Sequence, residues 1–388
     1  MTEQENTPLA AFDPVANAQN EWVALRLQVA PGLDLATRLQ ALLGPPDLLA
    51  AIAPLDLLLR FDSLDALTPP VLALLPASRV GLVIDAGALT QDGVARRLNE
   101  LHASGYRVWL DGDAPPGVTP PPGLRAVARD CHQDAPAPGR LVALFGPHLA
   151  YGVHNARRFS ACELAGFDWF SGDYPYDPAA APSEDDDGSS RRRIMTLLGL
   201  LARDADAREL EQQIKHDPAL AYNLLKLVNS AAFAKSTPIT SFGQAIAVLG
   251  RRQLQRWLQL LLYARLDPDG LPNLLLPLAA RRGAQLEALC RQHGGDVQAQ
   301  DLAFMTGVFS LLDRLLNLPM KTIALELQLP GDVASALVAR GGQLGAWLRL
   351  TEIDPSPTDL EGAGVTTLDW WTTQLHAYHW AIQVGRNV

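Results

Sequence analysis

Val80-Gly81-Leu82-Val83-Ile84-Asp85-Ala86-Gly87, then Asp92 to Ser104, Gly105 and Tyr106-Arg107-Val108-Trp109-Leu110-Asp111, decides the fold of the first half of the chain. The first run is short and apolar and ends on turn formers, as a buried strand does. Asp92 to Ser104 reads as a helix, and Gly105 stops it. A second apolar run follows at once. Strand, crossover helix and strand make a β-α-β unit, whose strands run parallel.

Working outward, Leu141 to Phe145 and Trp169-Phe170 read as further strands, and Leu33 to Leu43 and Arg157 to Leu164 as helices. The proline-rich stretch Ala114 to Gly123 is a long loop. Repeated βα units fit either a closed barrel or an open parallel sheet, and composition does not choose between them. Met1 to Asn20 is polar and reads as a tail (1–20) without a secretion signal. Ala179 to Ser190, with its acidic run Glu184 to Asp187, cannot bury a core and reads as a linker (179–190).

Beyond the linker the texture is helical. In Asp217-Pro218-Ala219-Leu220, Asp217 caps a helix and Pro218 takes its first position, where a missing N–H costs nothing. Leu220, Leu224 and Leu227 or Val228 then repeat at helical spacing up to Asn229-Ser230. Asp206 and Glu209 have capping-box spacing. Ser241 opens the next helix and Gly250 ends it. Arg251 to Arg265, Leu274 to His293, a helix opened by Asp296 that runs to Leu316, Gly331 to Arg340 and Leu344 to Leu350 follow.

Composition narrows the function. The net charge of −10 argues against non-specific nucleic-acid binding, which needs a phosphate-neutralising surface. Arg191-Arg192-Arg193 and Arg251-Arg252 read as solvated helix ends. Three dispersed cysteines form no CxxC pair and imply no disulfide framework, which fits a reducing cytoplasm. No apolar run is long enough to span a bilayer, so no membrane partner is expected. His216-Asp217 spells a metal dyad but sits where a helix cap belongs. His376 and His379 share a helix face without a third ligand. Trp370-Trp371 and Tyr378-His379-Trp380 are either core or a contact surface.

The Asp-Pro-x-Leu … Asn-Ser block, Gln244-Ala245-Ile246 … Leu249-Gly250, and Phe304-Met305-Thr306-Gly307-Val308-Phe309-Ser310-Leu311 resemble HDOD domains over most of residues 191–350. In active HD-superfamily phosphohydrolases the last block carries a metal-binding His-Asp pair. That pair aligns here with Ser310-Leu311, which the resemblance implies cannot hold the metals. Asp217, Pro218, Asn229, Ser230 and Gly250 are then structural or interaction residues.

Residues 21–178 resemble EAL domains, (β/α) barrels that hydrolyse cyclic di-GMP. Trp22-Val23-Ala24-Leu25-Arg26 lies where the Glu-Ala-Leu signature belongs. Gly105 to Gly112, Ala150-Tyr151-Gly152-Val153-His154 and Ala165 to Gly172 follow in the family's order. The resemblance places Val23 at the signature glutamate, Val83 (with Asp85 close by) at a second, and Tyr151 and His154 at two later ones. It places Ser171 at the glutamine and Ala128 or Arg129 at the lysine. Of two paired aspartates, Asp111 remains beside Gly112, as a catalytic relic or an ordinary strand-end residue.

Together these resemble the YuxH-type EAL–HDOD signalling proteins. The expectation is α/β plus all-α: a truncated, degenerate EAL-type (β/α) barrel (21–178), then an all-helical HDOD domain (191–388). The resemblance implies a cytoplasmic signal-transduction adaptor, a pseudoenzyme without cofactor or metal. It would act through contacts with unidentified signalling proteins. The alternatives are a cyclic di-GMP receptor, with Arg26, Arg60 and Asp111 as ligand contacts, and a residual phosphodiesterase.

Overall fold

The computed structural model describes residues 8–30, 34–44, 47–119, 121, 124, 126–136, 146–177, 195–200, 242–263 and 273–387. Asp217, Pro218, Asn229, Ser230, the 179–190 linker, the Asp206 capping box and the strand expected at Leu141 to Phe145 lie outside these residues. The chain forms two compact units, Met1–Asp177 and Pro178–Val388.

The first unit is a closed barrel of eight strands in sequence order. They are β1 (Ala10–Asn17), β2 (Trp22–Val29), β3 (Asp56–Phe61), β4 (Val80–Asp85), β5 (Arg107–Asp111), β6 (Ala126–Asp130), β7 (Leu149–Tyr151) and β8 (Trp169–Phe170). Strands β2 to β8 pair in parallel. β1 is antiparallel to both β2 and β8 and closes the ring. This corrects one expectation. Residues 10–17 are a barrel strand and not part of a tail, because Phe12 and Val15 bury against the core and the ring needs a strand to satisfy the edges of β2 and β8. The closed eight-strand barrel is the (β/α) fold expected for this half of the chain.

β3 and β4 bury residues on both faces, as strands covered by crossover helices do. The helix Val94–Ala103 returns the chain from β4 to β5, with Val94, Leu98 and Leu101 buried. Ala156–Ala165 joins β7 to β8, capped by Asn155 and stopped by Gly166 in a left-handed conformation.

Val15, Ala24, Leu58, Val83, Trp109, Ala128 and Leu149 fill the barrel. Gly81 makes room for Trp109: a Cβ there would lie 2.5 Å from the indole. Trp109 stacks on Trp169 with ring centres 5.6 Å apart and donates Nε1–H to the carbonyl of Pro147 at 2.8 Å. Below this apolar layer, Arg107 pairs with Asp56 at 2.7 Å. Above it lie the ends of the strands that carry the site.

The second unit is helical in all its described elements after residue 241. Leu275–Gln292 is its central helix, buried on nearly every side and packed against Val297–Phe309 and Thr367–Asn387. Gly283 and Gly307 set the first of these crossings. A Cβ on Gly307 would come within 2.5 Å of the Arg282 backbone, and one on Gly283 within 2.7 Å of Val308. Gly250 (φ 72°, ψ 166°) breaks Phe242–Leu261 into two helical segments, as its sequence position predicts.

The helix expected from Asp296 to Leu316 is interrupted. Asp296 caps its start, but the helix stops at Phe309 and resumes at Leu312. Ser310 turns its hydroxyl back onto the carbonyl of Gly307 at 2.7 Å, a bond that competes with helical continuation. Trp370, Trp371 and Tyr378 are buried and belong to the core, whereas Trp380 is half-buried and His379 exposed.

Candidate functional site at the barrel mouth

In (β/α) barrels, side chains that perform chemistry stand at the C-terminal ends of the strands. Here the apolar runs of β3, β4 and β5 each give way to an aspartate: Asp62 just past β3, Asp85 ending β4 and Asp111 ending β5. All three contact Arg60, which β3 carries to the same level. Arg60 Nε donates to Asp111 Oδ2 at 2.7 Å and Nη2 to Asp85 Oδ2 at 3.1 Å, while Nη1 pairs with Asp62. Each guanidinium nitrogen has its own carboxylate.

Asp111 is buried and shared. Its second oxygen accepts the hydroxyl of Tyr151 at 2.8 Å. Asp85 is divided differently, with Oδ1 accepting the Gly87 N–H at 2.8 Å and capping the turn after β4. Arg26 completes the group, its guanidinium 4.2 Å above the Tyr151 ring and 3.8 Å from Asp13. Arg26, Leu58, Arg60, Val83, Leu149 and Tyr151 line one cleft of about 290 Å³, counting the space open to solvent.

The electrostatics follow from this packing. Burial pulls the Arg60 guanidinium down, but the hydrogen bond and charge of Asp111 outweigh it and hold the group above its ordinary value. Burial pushes the Tyr151 phenol well up, and its bond to the Asp111 carboxylate pushes it further. Both groups are therefore fixed in one protonation state around neutrality.

The expected ligand residues Arg26, Arg60 and Asp111 do come together. Sequence reasoning did not see that Asp62 and Asp85 join them, or that Asp111 is one of three converging carboxylates rather than a lone survivor. The available signal was the recurrence of aspartate at successive strand ends, each of which reads singly as a turn former.

The resemblance to EAL domains implies divalent metals at these strand ends, and the donors present do not fit them. The carboxylates are already engaged by a permanent cation. Two unit charges 4 Å apart interact by about 4 kcal/mol at an effective dielectric near 20, and a divalent ion beside Arg60 doubles that repulsion. Among the described residues, no group of three or more His, Cys, Asp or Glu is placed to hold a metal ion.

The helical unit repeats the pattern. Arg282, 5% exposed, donates to Ser310 Oγ at 3.0 Å and lies 3.5 Å from Glu352. Leu311 beside it is buried. Of the basic pair at the helix ends, Arg252 is not simply solvated: it bonds Asp301 at 2.5 Å and shares that carboxylate with Arg256.

Residues 190–267 match the family model of the HDOD domain. The class defined by fold and match is thus a closed (β/α) barrel followed by a helical region that contains an HDOD domain. Among curated proteins, the chain is 29% identical over 204 residues to the cyclic di-GMP phosphodiesterase CdgJ of Vibrio cholerae, covering 53% of this chain and 47% of that protein. It is 26% identical over 208 residues to the uncharacterized protein YuxH of Bacillus subtilis, covering 53% of this chain and 50% of that protein. The chain spans about half the length of these curated relatives. Among solved structures, it is similar to the EAL domain of Mycobacterium smegmatis DcpA, with 17% identity, a TM-score of 0.34 and coverage of 43% of this chain and 88% of that one.

These findings give the chain an HDOD match at residues 190–267 and a similarity to CdgJ and YuxH over about half its length. They also overturn one expectation. The prediction that the chain is not an enzyme conflicts with its similarity to a protein named as a phosphodiesterase. The lost ligand positions that motivated it describe individual side chains, whereas the sequence similarity extends over half the chain. No helix among the described residues is long and apolar enough to cross a membrane.

Proposed function

We propose that the chain is a cyclic di-GMP-linked signal-transduction protein whose barrel mouth recognises the phosphodiester. The observation that carries this reading is Arg60, held by one carboxylate on each guanidinium nitrogen. An arginine fixed in this way loses little side-chain entropy when it binds a phosphate, and its planar fork suits phosphate oxygens. Arg26, stacked on Tyr151, supplies a second cation in the same cleft.

Three aspartates around one arginine leave the cluster net negative. Recognition therefore rests on oriented N–H donors more than on a long-range field. Its affinity depends only weakly on salt, unlike binding to a basic patch. The helical unit, which contains the HDOD domain, passes the liganded state to a signalling partner through protein contacts.

Calorimetric titration of the full chain with cyclic di-GMP tests this reading, with product analysis of the same sample to score hydrolysis. The expected result is binding by the native chain and at least tenfold weaker binding by Arg26→Ala. Absence of heat at high micromolar nucleotide defeats it.

A further inference from the structure

We infer that Cys131 and Cys162 form a redox site inside the barrel unit, which a peroxide oxidises to an intramolecular disulfide, with Cys162 attacking the oxidant and Cys131 resolving the product. The site is independent of nucleotide binding at the mouth.

Two segments distant in sequence bring the pair together. Cys131 directly follows β6, and its backbone N–H bonds the Tyr151 carbonyl at 2.8 Å. Cys162 lies in the helix Ala156–Ala165 that joins β7 to β8. Arg158, one turn before Cys162 and on the same side of that helix, donates to the carbonyl of Gln133 at 2.7 Å. Gln133 is two residues past Cys131, so the helix side that carries Cys162 is seated against the segment that carries Cys131. The two thiols hydrogen-bond to each other. Both are fully buried, and no bridge joins them.

Either cysteine alone would be a small core residue. Facing each other, they take different roles. The bond from Cys131, aided by the Arg158 charge, favours the Cys162 thiolate against the opposing effect of burial. That same bond, together with burial, holds Cys131 as the thiol. The thiolate is the form that attacks an oxidant.

The chemistry balances with hydrogen peroxide alone. The Cys162 sulfur attacks one peroxide oxygen, the O–O bond breaks, and the second oxygen leaves as hydroxide and takes up the proton that Cys162 gave up. Cys162 is then a sulfenic acid. The Cys131 sulfur attacks the Cys162 sulfur, an S–S bond forms, and the hydroxyl departs as water with the Cys131 proton. Two thiols lose two electrons and the peroxide becomes two waters. Bridging draws the sulfurs to about 2.05 Å and ties the end of β6 to the helix that leads into β8.

Thiol counting on the full-length chain tests this. The reduced native chain is exposed to hydrogen peroxide, quenched with catalase, and unfolded in urea containing iodoacetamide, and its intact mass gives the number of alkylated thiols. The expected count is three before oxidation and one after it, with dithiothreitol restoring three. A digest of the oxidised chain should hold a peptide pair linked through Cys131 and Cys162. Cys131→Ser, shown to be folded by circular dichroism, is expected to stop at a sulfenic acid on Cys162 that dimedone traps when added with the urea. Three free thiols in the peroxide-treated native chain would overturn the inference, as would loss of Cys290 ahead of the pair. A dimedone adduct on Cys131 in folded Cys162→Ser would overturn the assignment of roles. Because no nucleotide is present, failure here is separate from failure of cyclic di-GMP binding.

Discussion

Tyr151 and Arg60 grip opposite oxygens of one buried carboxylate, Asp111: the phenol at 2.8 Å on Oδ1 and the guanidinium at 2.7 Å on Oδ2. β7 and β3 are thereby joined through the end of β5. The mouth is one connected unit, and each member depends on the other two.

Tyr151→Phe removes the hydroxyl and leaves Asp111 short of one donor. The expected cost is about 1.5 kcal/mol, the lower end of the range for a hydrogen bond to a charged group, because Arg60 is partly solvated and still holds the carboxylate. Urea unfolding measures it as a shift in midpoint at unchanged slope.

The raised Tyr151 phenol makes a pH prediction. Its folded value lies above the unfolded value near 10, so its contribution is complete below about pH 10 and is lost as pH rises toward the folded value. Stability of the native chain should fall above pH 10. Tyr174 and Tyr263, also raised by burial, contribute to that fall, so Tyr151→Phe should lessen it without removing it. Denaturant titrations of both proteins between pH 8 and 11 decide the matter; identical profiles would exclude Tyr151 from the effect.

Asp111→Asn leaves Arg60 in place and removes the charge opposite Nε. With Arg60 partly exposed, about 2 kcal/mol is expected, less than for a fully buried pair. Thermal unfolding should show a lower midpoint for Asp111→Asn than for Asp62→Asn, whose side chain is largely solvated.

Gly307→Ala drives a Cβ to within 2.5 Å of the Arg282 backbone, which has no flexible end to move aside. The crossing must open, at about 1–3 kcal/mol, the usual range for overpacking. Gly362→Ala meets no atom within 4 Å and serves as the neutral control.

Cys131, Cys162 and Cys290 are all buried and unbridged. An aromatic disulfide reagent should find no reactive thiol in the native chain and three after unfolding. Burial pushes the Cys290 thiol up, which further slows its attack.

Much of the scaffold was legible in the sequence. The runs Val80–Asp85 and Arg107–Asp111 show their strands because both faces are buried and every residue signals together. The helices Leu35–Leu43, Ala156–Ala165 and Leu275–Gln292 lie within a few residues of their expected bounds. β1 was hidden because Ala10–Asn17 contains Asp13 and Pro14, and its place in the barrel depends on strands far along the chain. The site was legible residue by residue but not as a set. Arg60 is one of many arginines until β3, β4 and β5 align in register and bring Asp85 and Asp111 side by side. The interruption at Ser310 was hidden because it rests on one serine hydroxyl bonding back to the Gly307 carbonyl, which helical spacing does not signal.

The antiparallel strand also governs how the barrel is made. Ala16 pairs with Phe170 and Asn17 with Trp169, so the first strand finds its last neighbour only after nearly the whole unit has been synthesised. Until then β1 and β7 each present an unpaired edge, which invites pairing with other chains. Closure is the most non-local contact in the unit and the slowest to form by chain entropy. A chain that ends before Trp169 lacks β8, and with it the two-residue seam that pairs with both β1 and β7.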